Sequence, residues 1–157
     1  MIKKIIFILC FNILISSEII ERTQSLIFNI FPENKNINHS IYHIEESDIK
    51  EIQNKVRQIF FRKELNIWTI QNSDSSNYFA ILDNVKGKSL PITFLVIYDN
   101  NGEVYHTEII KYREAYGGEV RSRNWLNQFL NYNNNSNYKV GDAIDGISGA
   151  TISVKSI

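Results

Sequence analysis

The sequence predicts an α+β fold in which N-terminal helices pack on an antiparallel β-sheet, followed by a C-terminal loop rich in Gly, Ser and Thr. Apolar residues recur at helical spacing in the first third of the chain. The middle of the chain contains β-rich runs joined by turn residues, and no segment is repeated. The 157 residues suit one compact core, and a hydrophobic content of 43% is enough to fill it.

Two helices are predicted before the sheet. The first covers residues 18–31, where the apolar pattern ends at a proline that cannot continue a helix. Residues 34–40 are polar and predict a loop. The second helix covers about 48–61 and begins at a capping box, in which Asp48 is followed three positions later by Glu51.

Four strands and one further helix are predicted in the rest of the chain. The strands cover residues 66–71, 78–85, 91–98 and 103–112, and the last two are joined by a hairpin turn with the sequence Asp-Asn-Asn-Gly. Residues 121–130 predict a helix with three large apolar side chains on one face, and we interpret Trp125 among them as a core residue.

Charge and cysteine content exclude several classes of protein. The 17 basic and 17 acidic side chains give a net charge of zero, so the chain has no electrostatic footprint for nucleic acid. A single cysteine excludes a disulfide framework and a cysteine-rich metal site. His39 and His43 are four positions apart without carboxylates at ligand spacing, so we expect them to be solvated or packed and predict no metal ligands.

The first 17 residues have the pattern of an export signal. Lys3 and Lys4 precede an apolar run over residues 5–15, and Ser16 and Ser17 supply the small residues that a signal peptidase needs. The apolar run is shorter than the about 20 residues of an ordinary membrane span. Two alternatives stand, a cleaved signal peptide and an uncleaved signal anchor in the membrane. Both place the domain outside the cytoplasm, in the periplasm or anchored and facing outward.

The residues with the most chemical content form one C-terminal segment. Two glycines allow positive φ and close approach of a backbone, and successive N–H groups there can form an anion nest for a phosphate. Two hydroxyl side chains in the same segment would add donors. The residues alone leave a second interpretation open, an ordinary Gly/Ser turn before a short strand. The segment contains Asp145, Gly146, Ser148, Gly149, Ala150 and Thr151.

Residues 145–151 resemble the signature of the FMN-binding domain family, which reads Asp-Gly-x-Ser/Thr-Gly-Ala-Thr. The chain resembles small exported members related to the C subunit of sodium-translocating NADH:quinone oxidoreductase and the G subunit of the Rnf complex. The resemblance implies that Thr151 accepts FMN through a phosphoester, attached by a flavin transferase that consumes FAD and needs magnesium. Family members continue into a helix after the motif, whereas this chain ends at Ile157.

Residues 113–120, which read Arg-Glu-Ala-Tyr-Gly-Gly-Glu-Val, form a second block. This block resembles the mid-domain loop of these small members, which follows a strand and lies against the isoalloxazine ring. The resemblance therefore adds cofactor-binding candidates, and it covers about residues 65–157. Together with the export signal and the predicted helices, it divides the chain into a leader over 1–17, an N-terminal helical segment over 18–64 and an FMN-binding domain over 65–157. The added candidates are Arg113, Glu114, Tyr116, Gly117 and Gly118.

Charges around the second block predict a positive environment for the cofactor. Between residues 111 and 123 there are four cations and two acids, and positive charge near a flavin raises its reduction potential. The four cations are Lys111, Arg113, Arg121 and Arg123.

Taken together, the resemblance and the leader predict an exported flavoprotein that carries electrons through FMN on Thr151, without catalytic residues of its own. We expect a flavin transferase, a redox donor and a redox acceptor as partners, and no nucleic acid. The alternative is a module that binds FMN without a covalent bond, or a structural module without redox turnover.

Overall fold

The computed structural model describes residues 17–56 and 62–157. By contact the chain divides into two compact units, Met1–Glu33 and Asn34–Ile157. The predicted leader lies outside the described residues except for Ser17. In the first unit, helix α1 covers residues 17–30 of the described chain and confirms the first predicted helix. No helix within the described ranges is long and apolar enough to cross a membrane.

The second unit contains a five-stranded antiparallel sheet in which each strand pairs with the next along the chain. Together with the helices it confirms the predicted α+β class, and the four predicted strands are all present. At the predicted hairpin, Asp99 Oδ1 accepts hydrogen bonds from the backbone N–H groups of Asn101 and Glu103. The strands are β1 (Asn34–His43), β2 (Glu64–Asn72), β3 (Asn77–Lys86), β4 (Pro91–Asp99) and β5 (Val104–Lys111).

Strand β1 corrects the loop predicted over residues 34–40. It pairs with β2 at the edge of the sheet, and nearly all of its side chains are exposed. An edge strand exposed on both faces is held by backbone hydrogen bonds, so its sequence lacks the alternating pattern of a half-buried strand. The ring of His39 stacks on Trp68 of β2 with centroids 4.6 Å apart. The region predicted as a helical segment therefore also contributes a strand to the sheet.

Helix α2 (Glu46–Val56) begins before the predicted capping box. Asp48 therefore lies in the first turn and is not the N-cap residue, so the predicted box is wrong. Acidic side chains in a first turn are stabilised by the helix dipole, which explains the same local sequence. The predicted C-terminal end of this helix, residues 57–61, lies outside the described residues.

The helix predicted over residues 121–130 is broken into three short pieces. Two 3-10 turns, Gly118–Arg121 and Asn127–Phe129, flank helix α3 (Arg123–Leu126). The break has a local cause, because Ser122 has extended backbone and its side chain caps the N–H of Trp125. Trp125 is 6% exposed, which confirms it as a core residue. It packs on one face of the sheet with Ile92, Val104, Ile109, Val120, Leu126, Phe129, Ile144 and Val154.

Candidate flavin site

The two predicted site segments meet at one end of the sheet and enclose a cavity of about 550 Å³. Small-molecule sites usually fall between about 300 and 1,000 Å³, so the size suits a cofactor. Seven predicted site residues line the cavity, namely Glu114, Tyr116, Gly117, Ser148, Gly149, Ala150 and Thr151.

Close packing between Gly117 and Ala150 joins the two segments. Gly117 has a φ of 76°, and a Cβ placed on it would collide with the Ala150 Cβ and lie 3.2 Å from the Ala150 Cα. Only glycine allows both the left-handed backbone and this approach. This one contact therefore explains both the glycine at position 117 and the alanine at position 150 of the C-terminal motif.

The acceptor candidate Thr151 lies at the cavity, exposed to solvent. It is the first residue of helix α4 (Thr151–Ser156), so a short helix does follow the motif. Within the described part of the chain, the hydroxyls of Thr151 and Ser148 form no hydrogen bond. Tyr116, on the opposite segment, is 80% exposed. The cavity thus presents a free hydroxyl and an exposed aromatic ring.

Glu114 connects a third loop to the site. Its Oε1 accepts hydrogen bonds from the backbone N–H groups of Ser89 at 2.6 Å and Leu90 at 2.9 Å. These bonds hold the pKa of the Glu114 carboxyl below its ordinary value of 4.5. The bond from Leu90 lowers the pKa most, and the bond from Ser89 comes next. The carboxylate therefore organises the β3–β4 turn, which contributes Lys88 and Ser89 to the cavity wall.

The Glu114→Gln variant is expected to be less stable than the wild type at pH 7 and equally stable in acid. The folded-state pKa of Glu114 is depressed, so its contribution is present above the ordinary value of 4.5 and is lost as pH falls through the folded value. Urea unfolding of both proteins at several pH values from 7 to 3 measures the difference between their free energies of unfolding. A stability difference that stays constant over the whole range would contradict the assignment.

Two of the four cations predicted to surround the cofactor form contacts away from the cavity. Arg113 Nη1 donates to the Pro91 carbonyl at 2.8 Å and to Thr93 Oγ1 at 2.9 Å, and Arg123 forms an ion pair with Glu108. The described cavity lining instead carries one cation, Lys88, with the acids Glu114 and Glu119. Arg113 and Arg123 are therefore engaged in structural contacts, and none of the four predicted cations is part of the described cavity lining.

The start of the C-terminal motif is tied to the segment that contains α3. Trp125 Nε1 donates to the Asp145 carbonyl at 2.9 Å, and the Asp145 N–H donates to Gln128 Oε1 at 2.7 Å. Asp145 lines a smaller cavity of about 250 Å³ beside these two side chains. Gly146 and Gly118 are absent from the lining of the larger cavity as described.

Several lining residues were not predicted, namely Lys88, Ser89, Ala115, Glu119, Ile152 and Ser153. A signal for the first two exists in the order of strands. In an antiparallel meander, the β3–β4 turn and the end of β5 lie at the same end of the sheet. The predicted strands could therefore have placed this turn beside the loop after β5.

His39 and His43 lie on β1, which is far along the chain from the two segments that line the cavity. His39 Nε2 is 3.0 Å from Asn66 Oδ1, and His43 Nδ1 is 3.4 Å from Glu64 Oε1. In residues 17–56 and 62–157, no group of three or more His, Cys, Asp or Glu side chains could hold a metal ion.

The antiparallel sheet, the glycine-bearing loops and the cavity at one sheet end define a ligand-binding α+β domain. Residues 87–157 match the model of the FMN-binding domain family, and this stretch contains every residue of the cavity wall. The region belongs to that family, as predicted, and this supports flavin binding. No curated protein and no solved structure matches the chain.

Proposed function

We propose that this protein is an exported flavoprotein that carries electrons through FMN attached by a phosphoester to Thr151. The observation that supports it most directly is the position of Thr151. Its hydroxyl belongs to the last residue of the family motif, is exposed at the cavity and has no hydrogen-bond partner in the described chain. An acceptor side chain needs to be reachable and unengaged.

The cavity wall suits the parts of FMN. Ser148 and the backbone around Gly149, which has a φ of 76°, would hold the phosphate next to Thr151. Tyr116 offers an exposed aromatic face for a flat ring system. Lys88 provides a positive charge at the wall for an anionic ligand. These assignments use groups that line one cavity.

The attachment step conserves all atoms when FAD is the donor. The Thr151 oxygen forms a bond to the phosphorus of the FMN half of FAD, and the bond from that phosphorus to the bridging oxygen breaks. AMP leaves, and the hydroxyl proton passes to the surrounding buffer. The flavin transferase contributes the magnesium ion that this chemistry needs. The chain itself contributes only the hydroxyl and its placement.

Electron carrying is the role we assign to the loaded domain. A bound flavin can accept one or two electrons from a reduced partner and return them to an oxidised one. Glu114 Oε1 accepts hydrogen bonds from the backbone N–H groups of Ser89 and Leu90, so this carboxylate supports the cavity wall.

Export would explain the covalent bond. Outside the cytoplasm free FMN is scarce, and a protein that relied on affinity would lose the cofactor by mass action. Residues 1–17 have the pattern of a signal peptide or a membrane anchor. We therefore place the protein in the periplasm, either released or anchored to the membrane and facing outward.

The second candidate is a module that binds FMN without a covalent bond. The two are separated by co-expressing the protein with a flavin transferase, denaturing it, and measuring intact mass and in-gel flavin fluorescence. The carrier predicts a mass increase equal to FMN less one water, with fluorescence that survives denaturation. Bound flavin that is released completely on denaturation would support the second candidate and contradict the first.

A further inference from the structure

One side chain outside the predicted site ties its two segments together. Tyr112 directly follows β5, and its hydroxyl donates to the Tyr116 carbonyl at 2.6 Å. The same oxygen lies 3.2 Å from Ser153 Oγ, on the first turn of α4. A phenol has one proton, which the Tyr116 carbonyl accepts, so Ser153 must be the donor in the second bond. The two hydrogen bonds therefore form a chain from α4 through Tyr112 to the loop that contains Tyr116.

Packing restricts both Ser153 and Tyr112. Ser153 is 4% exposed, so its hydroxyl is withdrawn from water and depends on Tyr112 for its hydrogen bond. A Cβ on Gly117 would lie 3.0 Å from the Tyr112 hydroxyl. The Arg121 guanidinium lies 5.8 Å from the centre of the Tyr112 ring, within range of a cation–π contact. Tyr112 is therefore held on more than one side.

The position of Thr151 depends on what holds α4. The side chain of Thr151 is exposed, and its hydroxyl makes no hydrogen bond within the described chain, so nothing at the side chain itself orients it. Helix α4 has only six residues and is too short to keep its own geometry in isolation. Its N-terminal turn is instead fastened by the Ala150–Gly117 packing and by the bond from Ser153 to Tyr112.

We propose that Tyr112 is a positioning residue for FMN attachment, which holds the Thr151 hydroxyl in the geometry that the flavin transferase needs; this inference rests on the proposed function. Tyr112 acts through Ser153 and the Tyr116 carbonyl and does not line the described cavity. A displacement of about 1 Å in reacting groups can slow a reaction by about 100-fold. Loss of the two hydrogen bonds is expected to slow attachment by about tenfold to 100-fold.

The test measures attachment rates with the full chain, a purified flavin transferase, FAD and magnesium. The variants are Tyr112→Phe, Ser153→Ala and the double variant, and the control is Tyr42→Phe, an exposed tyrosine on β1. The initial rate is measured against acceptor concentration. A positioning role lowers kcat with little change in KM. It also makes the double variant no slower than Tyr112→Phe, because both changes break one shared chain of bonds.

The outcomes separate this inference from the proposed function. A wild type that gains no covalent flavin contradicts both. A modified wild type with Tyr112→Phe reacting at the wild-type rate contradicts the positioning role alone. A merely structural role for Tyr112 would lower the fraction of protein that reacts, with unchanged kcat for the folded fraction. Should Tyr112→Phe fail to fold, Ser153→Ala alone decides, because it keeps the bond between Tyr112 and Tyr116.

Discussion

The Thr151→Ala variant is expected to carry no covalent flavin after co-expression with a flavin transferase, whereas the wild type keeps its flavin after denaturation. Alanine removes the only atom of this side chain that can form the phosphoester. The expected loss is complete, because alanine offers no nucleophile at the position that the motif assigns to the acceptor. Intact mass and in-gel fluorescence of denatured protein measure the result.

Ser148→Ala is the matched control for this change. Ser148 belongs to the same motif, is exposed, lines the same cavity and also has a hydroxyl without a partner in the described residues. Loss of the Ser148 hydroxyl is expected to leave the covalent adduct in place and, at most, to slow the formation of the adduct. Thr151→Ser keeps the hydroxyl and is expected to retain attachment. An adduct on Thr151→Ala, or its loss on Ser148→Ala with Thr151→Ala unaffected, would contradict the assignment of the acceptor.

The Gly117→Ala variant is expected to have the largest effect on stability. Left-handed backbone costs a non-glycine residue about 1–2 kcal/mol, and overpacking typically adds about 1–3 kcal/mol. The added Cβ would collide with the Ala150 Cβ, so the two segments of the cavity wall must separate. The free energy of unfolding measured in urea is expected to fall by about 2–5 kcal/mol. Flavin attachment is expected to fall with it.

Two further variants isolate the cause. Gly102 has the same φ of 76°, but a Cβ there meets nothing within 4 Å, so Gly102→Ala is expected to show the backbone cost alone. Ala150→Gly combined with Gly117→Ala removes the colliding carbon and is expected to recover part of the lost stability. Equal destabilisation by Gly117→Ala and Gly102→Ala would show that the close approach to Ala150 contributes nothing.

Elements with a strong local signal were predicted well. The β4–β5 hairpin is confirmed. Its signal is local, because Asp99 in the turn accepts hydrogen bonds from the backbone N–H groups of Asn101 and Glu103. Strand β1 was predicted as a loop because an exposed edge strand is held by backbone bonds to a distant partner, which leaves no side-chain pattern. The helix over residues 121–130 was predicted as one piece because apolar spacing does not reveal the extended backbone at Ser122.

The site shows the same division between local and distant information. The motif at residues 145–151 is contiguous, so its family resemblance could be found from the order of residues, and the match over residues 87–157 confirms the family. Arg113 was expected beside the cofactor because it begins the block that resembles the mid-domain loop of the family, and because it adds to the local excess of cations. Its guanidinium instead reaches Pro91 and Thr93 on the adjacent strand. The resemblance in residue type did not indicate which way the long side chain turns.

Sequence alone was sufficient for the α+β class, the hairpin and the family, because each depends on side chains within a few positions of one another. The tertiary structure was needed for the cavity, where Lys88, Glu114 and Thr151 come from three separate loops. It was also needed for the hydrogen bond between Ser153 and Tyr112 and for the contact between Gly117 and Ala150. These contacts join residues more than 30 positions apart, and they form because the antiparallel sheet brings the β3–β4 turn and the end of β5 to the same end, where the C-terminal loop packs.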